Sequence, residues 1–344
     1  MFSNMDEYLI HQTENPVAKP VSADPHWDDS VYFFLHDDKG EVVVFLTYEI
    51  FPNKGDHGHT RTLMLACCRG EHYRYVFDEE TNNDHRMVMS SGAMTFEVIE
   101  PNKTWGIKIS DSVNDIHADL IFHARCPVNY VEKPFWEKNG KPVINQQHYN
   151  QSGRFEGKLA IKGETFDKLM GMRNRSWGVR AWLDLPMYHW CEAQFDTFAI
   201  NTWKFENQDG SSVYTDGAIT YEDGSIERIV RYDQRIETFE GSGIKRPRVR
   251  YCEAETADGK IYKYMATTRH SMVLGPTPDQ WSEHKETEQT NADEVALWYE
   301  QLVEVEMDGN KGFGMFEVYV SPGSEVHNIP PTPFPEWMLT TYED

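Results

Sequence analysis

The sequence lacks the long apolar runs of a membrane helix and is poor in basic residues. Its 344 residues include 33 Lys and Arg against 56 Asp and Glu, which gives a formal net charge of −23. No apolar run approaches the roughly 20 residues that span a bilayer. A strongly acidic surface also repels nucleic-acid backbones and anionic lipids. We therefore expect no nucleic-acid partner and no integral membrane contact, and the sequence leaves open whether the chain forms a homodimer.

Cysteine is scarce, and its spacing does not indicate a disulfide framework. The five cysteines are odd in number, two of them are adjacent (Cys67 and Cys68), and none forms a CxxC pair. This usage favours a reducing compartment. The first residues also lack a basic segment followed by an apolar run, so we expect no secretory signal peptide. The sequence thus predicts a cytoplasmic protein.

The short motifs of common enzyme classes are missing as well. The chain has no GxSxG, no GxGxxG that opens a helix, no Walker loop and no HExxH. His57 and His59 are two residues apart, and His72 or His85 would complete a metal site with them. A flexible glycine-rich loop is the preferred interpretation of GDHGHT, and we expect no metal.

Short apolar runs separated by turn signals make up most of the sequence. Aromatic residues account for 13% of the chain, which favours β folds or aromatic-lined pockets. Turn motifs such as HDDKG, YTDG, YEDG and TADG lie between the apolar runs. The pattern predicts an all-β chain of antiparallel sandwiches or barrels. At most one short helix is expected, in DKLMGMR or in TPDQWSEHK.

Polar and proline-rich segments divide the chain into three predicted parts. Residues 1–25 are polar, carry several prolines and are predicted to form an extended arm. The segment CPVNYVEKPFWEKNGKPVINQQHYNQSG is typical of a crossing between two halves, which predicts a boundary near residue 150. The predicted domains are therefore residues 26–150 and 151–344.

Arginine and tryptophan are concentrated in the central stretch GMRNRSWGVRAW. Arginine planes stack on tryptophan rings and pair bidentately with carboxylates. Such a cluster can bind an anion, clamp two domains together or help to build a reaction site. The predicted substrate-binding residues of this stretch are Arg173, Arg175, Trp177 and Arg180.

The next predicted strand alternates between two faces. His189 and Cys191 lie on one face, Trp190 and Glu192 on the other, and periodicity does not decide which face is interior. A carboxylic acid held neutral in an apolar pocket can protonate an alkene, and aromatic faces stabilise the resulting cation. The catalytic candidates are Asp196, Glu192 and Asp184. The substrate-binding set also includes Trp190, Gln194 and Trp203.

The segments QSGRFEGKLAIKGETF and GMRNRSWGVR resemble the central signature of a known superfamily. It is the hydroxyneurosporene synthase-like (carotenoid 1,2-hydratase) and AttH-like superfamily, which includes kievitone hydratase and lipocalin-like Diels–Alderases. The family pattern reads G-x-G-x-R-D-x-S-W-G-x-R. HWDDSVYFFLHDDKG and GFGMFE are similar to its terminal markers. Asn174 stands where the pattern has Asp, so this chain departs from the family at that position.

The resemblance implies two consecutive lipocalin-like (calycin) antiparallel β-barrel or sandwich domains, the second carrying RNRSWGVR, with ligand at or near their junction. It implies no metal and no organic cofactor. The implied function is an enzyme of secondary metabolism that acts on a hydrophobic small molecule, whether terpenoid, prenylated or polycyclic. The preferred reaction is hydration or dehydration through protonation of an alkene. The alternatives are an isomerase or cyclase that acts by shape, and a non-catalytic hydrophobic-ligand-binding protein.

Overall fold

A computed structural model of the chain describes residues 3–9, 22–81, 89–239, 246–274 and 297–321. The chain divides into two compact units, Met1–Trp182 and Leu183–Asp344. Each unit is built on its own antiparallel, barrel-like β-sheet. The predicted all-β fold with two consecutive lipocalin-like domains is thus confirmed.

The first unit holds a 13-stranded sheet in the order β4-β3-β2-β1-β13-β11-β8-β7-β6-β5, with β9, β10 and β12 paired to β11. Its elements are the 3-10 helix η1 (Asn4–Glu7) and the strands β1 (Trp27–Asp37), β2 (Val42–Phe51), β3 (His59–Cys68), β4 (Glu71–Glu80), β5 (Met89–Ser91), β6 (Met94–Glu100), β7 (Thr104–Asp111), β8 (Ile116–Ala124), β9 (Asn129–Tyr130), β10 (Phe135–Lys138), β11 (Lys141–Ile161), β12 (Glu164–Phe166) and β13 (Leu169–Arg180). The 3-10 helix η2 (Trp182–Asp184) follows at the division between the units.

The second unit is a closed barrel in which each strand pairs with the next and the last pairs with the first. Its strands are β14 (Met187–Gln194), β15 (Phe198–Glu206), β16 (Ser212–Tyr221), β17 (Ile226–Thr238), β18 (Pro247–Thr256), β19 (Ile261–Val273), β20 (Leu297–Met307) and β21 (Asn310–Val320). No helix among the described residues is long and apolar enough to cross a membrane.

Turn chemistry places several of the hairpins. In YEDG and TADG the amides of Gly224 and Gly259 donate to the carbonyls of Tyr221 and Thr256, at 3.0 and 2.8 Å. Both glycines have a positive φ, 90° and 85°, a conformation that costs glycine little. The predicted turn YTDG is wrong, because these residues lie inside β16.

Alternation of apolar and polar residues builds the core of the first unit. In β8 the residues Ile116, Ala118, Leu120 and Phe122 are buried, and those between them are exposed. The buried set packs with apolar side chains of β1, β2 and β7 in one core cluster. Burial of such side chains drives the sheet to curve around its own apolar face.

The division between the units differs from the predicted boundary near residue 150. That position lies inside β11, which pairs with β8 and β13 on its two sides. The RNRSWGVR signature consequently belongs to β13 of the first unit. The segment DKLMGMR enters the same strand rather than a helix, and TPDQWSEHK lies outside the described residues. Where an extended arm is predicted, η1 occupies Asn4–Glu7.

Candidate functional site

Strand β13 carries the arginine-rich signature and lies between β1 and β11. Side chains alternate along a strand, so its residues divide between two faces of the sheet. Arg173 pairs with Phe33, whose side chain belongs to the core of the first unit. The odd-numbered residues therefore point inward. Asn174, Ser176 and Arg180 point outward.

The inward arginines bind the N-terminal segment of the same chain. Arg173 donates to Glu7 at 2.7 Å and to Gln151 at 2.8 Å. Arg175 pairs with Asp29 at 2.8 Å and donates to the backbone carbonyl of Glu7 at 3.2 Å. All of these side chains are buried. Breaking a buried pair costs about 3–5 kcal/mol, so this network fixes η1 to the first sheet.

Stacking of arginine on tryptophan also occurs on the inward side. The guanidinium of Arg175 lies 5.7 Å from the ring centre of Trp177, and that of Arg173 lies 5.4 Å from Trp105. Three of the four substrate-binding residues predicted in the signature thus lie on the inward face of the first sheet. Arg180 is the member of that set on the outward face.

Arg180 lies beside a pair of serines on the outward face. Its Nη1 donates to Ser176 Oγ at 2.9 Å, and its Nη2 donates to Ser30 Oγ at 3.1 Å. The two hydroxyls are 3.0 Å apart, and Asp28 forms an ion pair with the same guanidinium. Arg180 therefore positions two hydroxyls on neighbouring strands.

Glu49 of β2 lies in the same cross-strand row as the serines. Glu49 is opposite Ser30 of β1, and Ser30 is opposite Ser176 of β13. Ser176 is in turn opposite His148 of β11. Residues directly opposite each other on neighbouring strands point to the same side of a sheet, and neighbouring strands are about 4.8 Å apart. The four side chains therefore form one continuous row on the same side. We refer to this row, with the adjoining Thr47, Asn150 and Asn174, as the outer polar face.

Burial sets the protonation of two groups on the outer polar face. Desolvation raises the pKa of Glu49 to about 7, against the opposing charge of Arg61. Desolvation also lowers the pKa of His148 to about 3. Near neutral pH the Glu49 carboxyl is therefore protonated in about half of the molecules, and the His148 ring is neutral.

Several buried polar atoms of the outer polar face have no hydrogen-bond partner in the protein. They are Thr47 Oγ1, Glu49 Oε2, Asn150 Nδ2 and Asn174 Oδ1. Buried polar atoms are nearly always hydrogen-bonded, and exceptions are often completed by water or a ligand. The set contains both donors and acceptors, so this face is equipped to hold a water molecule or a polar group. Asn174, the departure from the family pattern, is one of its members.

The strand that alternation predicted around residues 189–196 is β14 of the second unit, and its His189–Cys191 face points into the barrel. Cys191 packs in the barrel core, and His189 shares its face. Trp190, Glu192 and Gln194 point out of the barrel and are nonetheless buried. The predicted wall of tryptophan, glutamate and glutamine therefore exists on the outside of the barrel.

The remaining predicted residues of the second unit are divided between buried and exposed positions. Trp203 of β15 is opposite Trp190, with the ring centres 6.3 Å apart. Asp184 and Asp196 are exposed, in η2 and in the turn after β14. A carboxylic acid is kept neutral by burial in apolar surroundings. Of the three predicted acids, Glu192 is the one in a buried position.

Sequence reasoning missed Glu49 and His148. In VVVFLTYEIF, Thr47 and Glu49 are two polar residues at alternate positions of a strand that is otherwise apolar or aromatic. Polar residues on one face of an otherwise buried strand are the signal that marks this site, since such groups need partners.

Among the described residues, no group of three or more His, Cys, Asp and Glu side chains is placed to hold a metal ion. His59 lies 2.8 Å from Asp78. His72 is opposite Cys67, at the other end of the β3–β4 pair. His85 lies outside the described residues.

A family model described as a domain of unknown function (DUF7064) matches residues 12–321, so the chain belongs to that family. A search of curated protein sequences gave no match.

Three solved structures have a similar fold. An AttH protein from Nitrosomonas europaea is 14% identical, with a TM-score of 0.63 over 85% of this chain and 91% of that chain. Kievitone hydratase from Nectria haematococca is 12% identical, with a TM-score of 0.58 over 94% of each chain. CghA bound to Sch210972 is 14% identical, with a TM-score of 0.55 over 88% of this chain and 90% of that chain. The resemblance to the hydratase and AttH-like superfamily is thus confirmed at the level of fold.

Proposed function

We propose that this member of the DUF7064 family is an enzyme that acts on a hydrophobic small molecule by acid catalysis at the outer polar face. The proposed reaction is the addition of water to an alkene, or the reverse dehydration, without a cofactor. The observation that carries the proposal is Glu49, a buried carboxyl with a pKa of about 7 and an unpartnered Oε2. A general acid is most effective when its pKa lies near the working pH.

In the forward reaction the protonated Glu49 gives its proton to one alkene carbon, which leaves a cation on the other carbon. A water molecule adds to that cation, and its surplus proton returns to the Glu49 carboxylate. The acid is thereby regenerated, and one water is consumed for each alcohol formed. The neutral His148 ring and the amide of Asn150 can hold the water without placing a positive charge beside the cation.

The fold adds support of a general kind. Among the similar structures, one protein is named a hydratase and another, CghA, is a Diels–Alderase. Fold does not imply function, so the proposal for this chain depends on Glu49.

A second candidate is an isomerase or cyclase that acts by shape. Its support is the unpartnered amide of Asn150, whose Nδ2 can donate to a substrate carbonyl. Such an enzyme would bind and orient its substrate and would not need the Glu49 proton. Turnover by Glu49→Gln at the wild-type rate, with loss in Asn150→Leu, would select this candidate.

The test uses a panel of prenylated and terpenoid alkenes, with the matching tertiary alcohols, in ¹⁸O-labelled water. Mass spectrometry then detects hydration as labelled alcohol and dehydration as loss of water. We expect Glu49→Gln to lower kcat/KM by at least about 100-fold, since general acids contribute about 10²–10⁴-fold. Wild-type kcat/KM should fall as the pH rises through 7, because the acid form of Glu49 is lost.

Three further variants locate the acid. Glu192→Gln, Asp196→Asn and Asp184→Asn test the acids predicted from sequence, and Glu79→Gln removes an exposed carboxyl of β4 as a control. Wild-type turnover in Glu49→Gln with loss in Glu192→Gln would move the acid to the second unit. Turnover unaffected in every acid variant would overturn acid catalysis.

A further inference from the structure

The interior of the β14–β21 barrel contains a buried arginine without a carboxylate partner. Arg250 of β18 has no exposed surface. Its Nη2 donates to Oε1 of Gln301 at 2.6 Å, and its guanidinium carbon lies 3.9 Å from the ring centre of Phe316. Its Nε and Nη1 have no hydrogen-bond partner. Two donors of a full positive charge are therefore unused inside the barrel.

A buried carboxylate on the interior side of the same barrel is already engaged. Glu206 accepts from the ammonium of Lys204 at 3.0 Å and lies 3.5 Å from Nε2 of His189. Within the described part of the chain Arg250 forms no ion pair. The described interior thus pairs one cation with one carboxylate and leaves the charge of Arg250 without a counter-ion.

A second unused donor is on the same interior face. Gln234 of β17 is opposite Cys252, which is two residues from Arg250 along β18. The hydroxyl of Tyr232 donates to Oε1 of Gln234 at 3.1 Å. This bond fixes the amide so that Nε2 has no partner, although the side chain is buried. Guanidinium and amide N–H groups together match the two oxygens of a carboxylate.

Burial without a counter-ion is costly for a charged group. Desolvation lowers the pKa of Arg250 to about 10, so the guanidinium remains charged at neutral pH. An anion bound inside the barrel would therefore offset the desolvation free energy of the buried Arg250 charge and stabilise the folded state. Apolar side chains lie around this point, including the core cluster of Ile200, Ile219 and Val303 and a second cluster of Met187, Val318 and Val320.

We propose that the interior of the β14–β21 barrel binds an organic acid, with its carboxylate held by Arg250 and Gln234 and its apolar part in the barrel core. The site is distinct from the outer polar face, since it lies inside the second unit and shares no residue with it. Its occupation is independent of Glu49, so Glu49→Gln is expected to bind the acid as the wild type does.

The test measures thermal unfolding of the full chain with sodium hexanoate and sodium decanoate at pH 7. The matching alcohols and sodium chloride at equal concentration are the comparison probes. A ligand that binds only the folded state at about a hundredfold excess over its Kd raises the unfolding midpoint by about 3–5 °C in a protein of this size. We expect that shift with a carboxylate and none with the alcohols or with chloride.

Arg250→Met removes the charge and keeps an unbranched side chain of comparable bulk, so it should abolish the shift. Arg248→Met is the matched control, because Arg248 is on the same strand, is exposed and pairs with Glu237. It should bind as the wild type does. An equal shift with chloride would reduce the site to an inorganic-anion site, and an equal shift with the alcohols would remove the role of Arg250. Each of these results overturns the proposal, as does the absence of any shift.

A second measurement does not depend on how well the Arg250 variant folds. Decanoate labelled with ¹³C at its carboxyl carbon is titrated with acid while bound to the wild-type chain. A carboxylate bound to Arg250 should have a lower pKa than the free acid, because the guanidinium favours the ionised form. A bound acid that titrates like the free acid, or at higher pH, contradicts the assignment.

Discussion

Arg173 and Arg250 are both fully buried arginines, one in each unit, and they differ in what surrounds them. Arg173 has a carboxylate at 2.7 Å and the side-chain oxygen of Gln151 at 2.8 Å. Arg250 has the side-chain oxygen of Gln301, an aromatic ring and two donors with no partner. The first cation has a buried carboxylate as its counter-ion and the second has none, although Nη1 of Arg173 also lacks a hydrogen-bond partner. We call the Glu7–Arg173–Gln151 set the completed network because its charges are paired.

The difference separates a structural role from a binding role. A buried charge with its partners in place specifies geometry, and the segment it holds becomes part of the fold. A buried charge without them raises the free energy of the folded state until something else supplies the missing acceptor. Arg173 and Arg250 are the same residue type and are equally buried, so their partners decide which role each is assigned, structural or ligand-binding.

The largest expected effect comes from breaking the completed network. Arg173→Met leaves the carboxylate of Glu7 buried and without its cation, so the free energy of unfolding should fall by about 3–5 kcal/mol. Chemical denaturation followed by tryptophan fluorescence measures it. Arg154→Met, at an exposed position of β11, is the control and should change stability by less than about 0.5 kcal/mol.

The double variant Glu7→Gln with Arg173→Met tests whether the loss comes from the unpaired charge. It should recover part of the stability, because no isolated carboxylate remains buried. If Arg173→Met alone costs less than about 1 kcal/mol, the network does not hold η1 and the contrast with Arg250 disappears.

The next largest effect concerns Glu49, a buried carboxyl that can lose its charge by taking up a proton. Glu49 has a folded-state pKa of about 7, above the usual 4.5. Its contribution to stability is therefore complete below pH 4.5 and is lost as the pH rises to 7. The loss corresponds to about 3 kcal/mol.

The difference in unfolding free energy between wild type and Glu49→Gln, followed from pH 4.5 to 7, isolates this contribution. Subtraction is needed because the lowered pKa of His148 acts in the opposite direction, raising stability as the pH rises from about 3 to 6.5. A difference that stays constant over this range would mean that Glu49 is ionised in the folded protein.

Arg250→Met is expected to act on stability in the opposite direction to Arg173→Met. It removes an uncompensated buried charge and fills most of the space with an apolar chain, so the ligand-free protein should gain about 1–2 kcal/mol. The same denaturation experiment measures the gain, with Arg248→Met as control. A loss comparable to that of Arg173→Met would show that Arg250 is held by a completed network after all.

The sequence predicted the fold class and the strand texture because alternation and turn chemistry are local. In β8 the buried and exposed residues alternate as the sequence does. The boundary near residue 150 was misplaced because Asn145, Gln146 and His148 resemble a polar linker. Gln146 and His148 are polar because they lie on the outward side of a central strand of the first sheet.

The candidate site was only partly predictable for a related reason. Alternation along β14 separated His189 and Cys191 from Trp190 and Glu192, but closure of the barrel decides which set is interior. The signature arginines were recognised, whereas their division into inward and outward sets depends on the register with β1. Glu49 is recognisable in the sequence as a polar residue of an apolar strand, but its place in one row with Ser30, Ser176 and His148 follows only from the register of the sheet.

The smallest expected effect concerns Arg180, which is the outward counterpart of the completed network around Arg173. Arg180→Lys keeps the positive charge beside Asp28 but replaces the rigid guanidinium fork, in which a separate nitrogen serves each of Ser176 and Ser30, with a single ammonium nitrogen. We expect a stability loss of about 1 kcal/mol, the usual net value of one hydrogen bond. The matched comparison is Arg173→Lys, which should cost more, since Glu7 and Gln151 are deeper in the unit and share the fork. Equal losses at the two positions would mean that the inward and outward arginines of β13 have the same structural role, and Arg180 would then lose its place on a functional face.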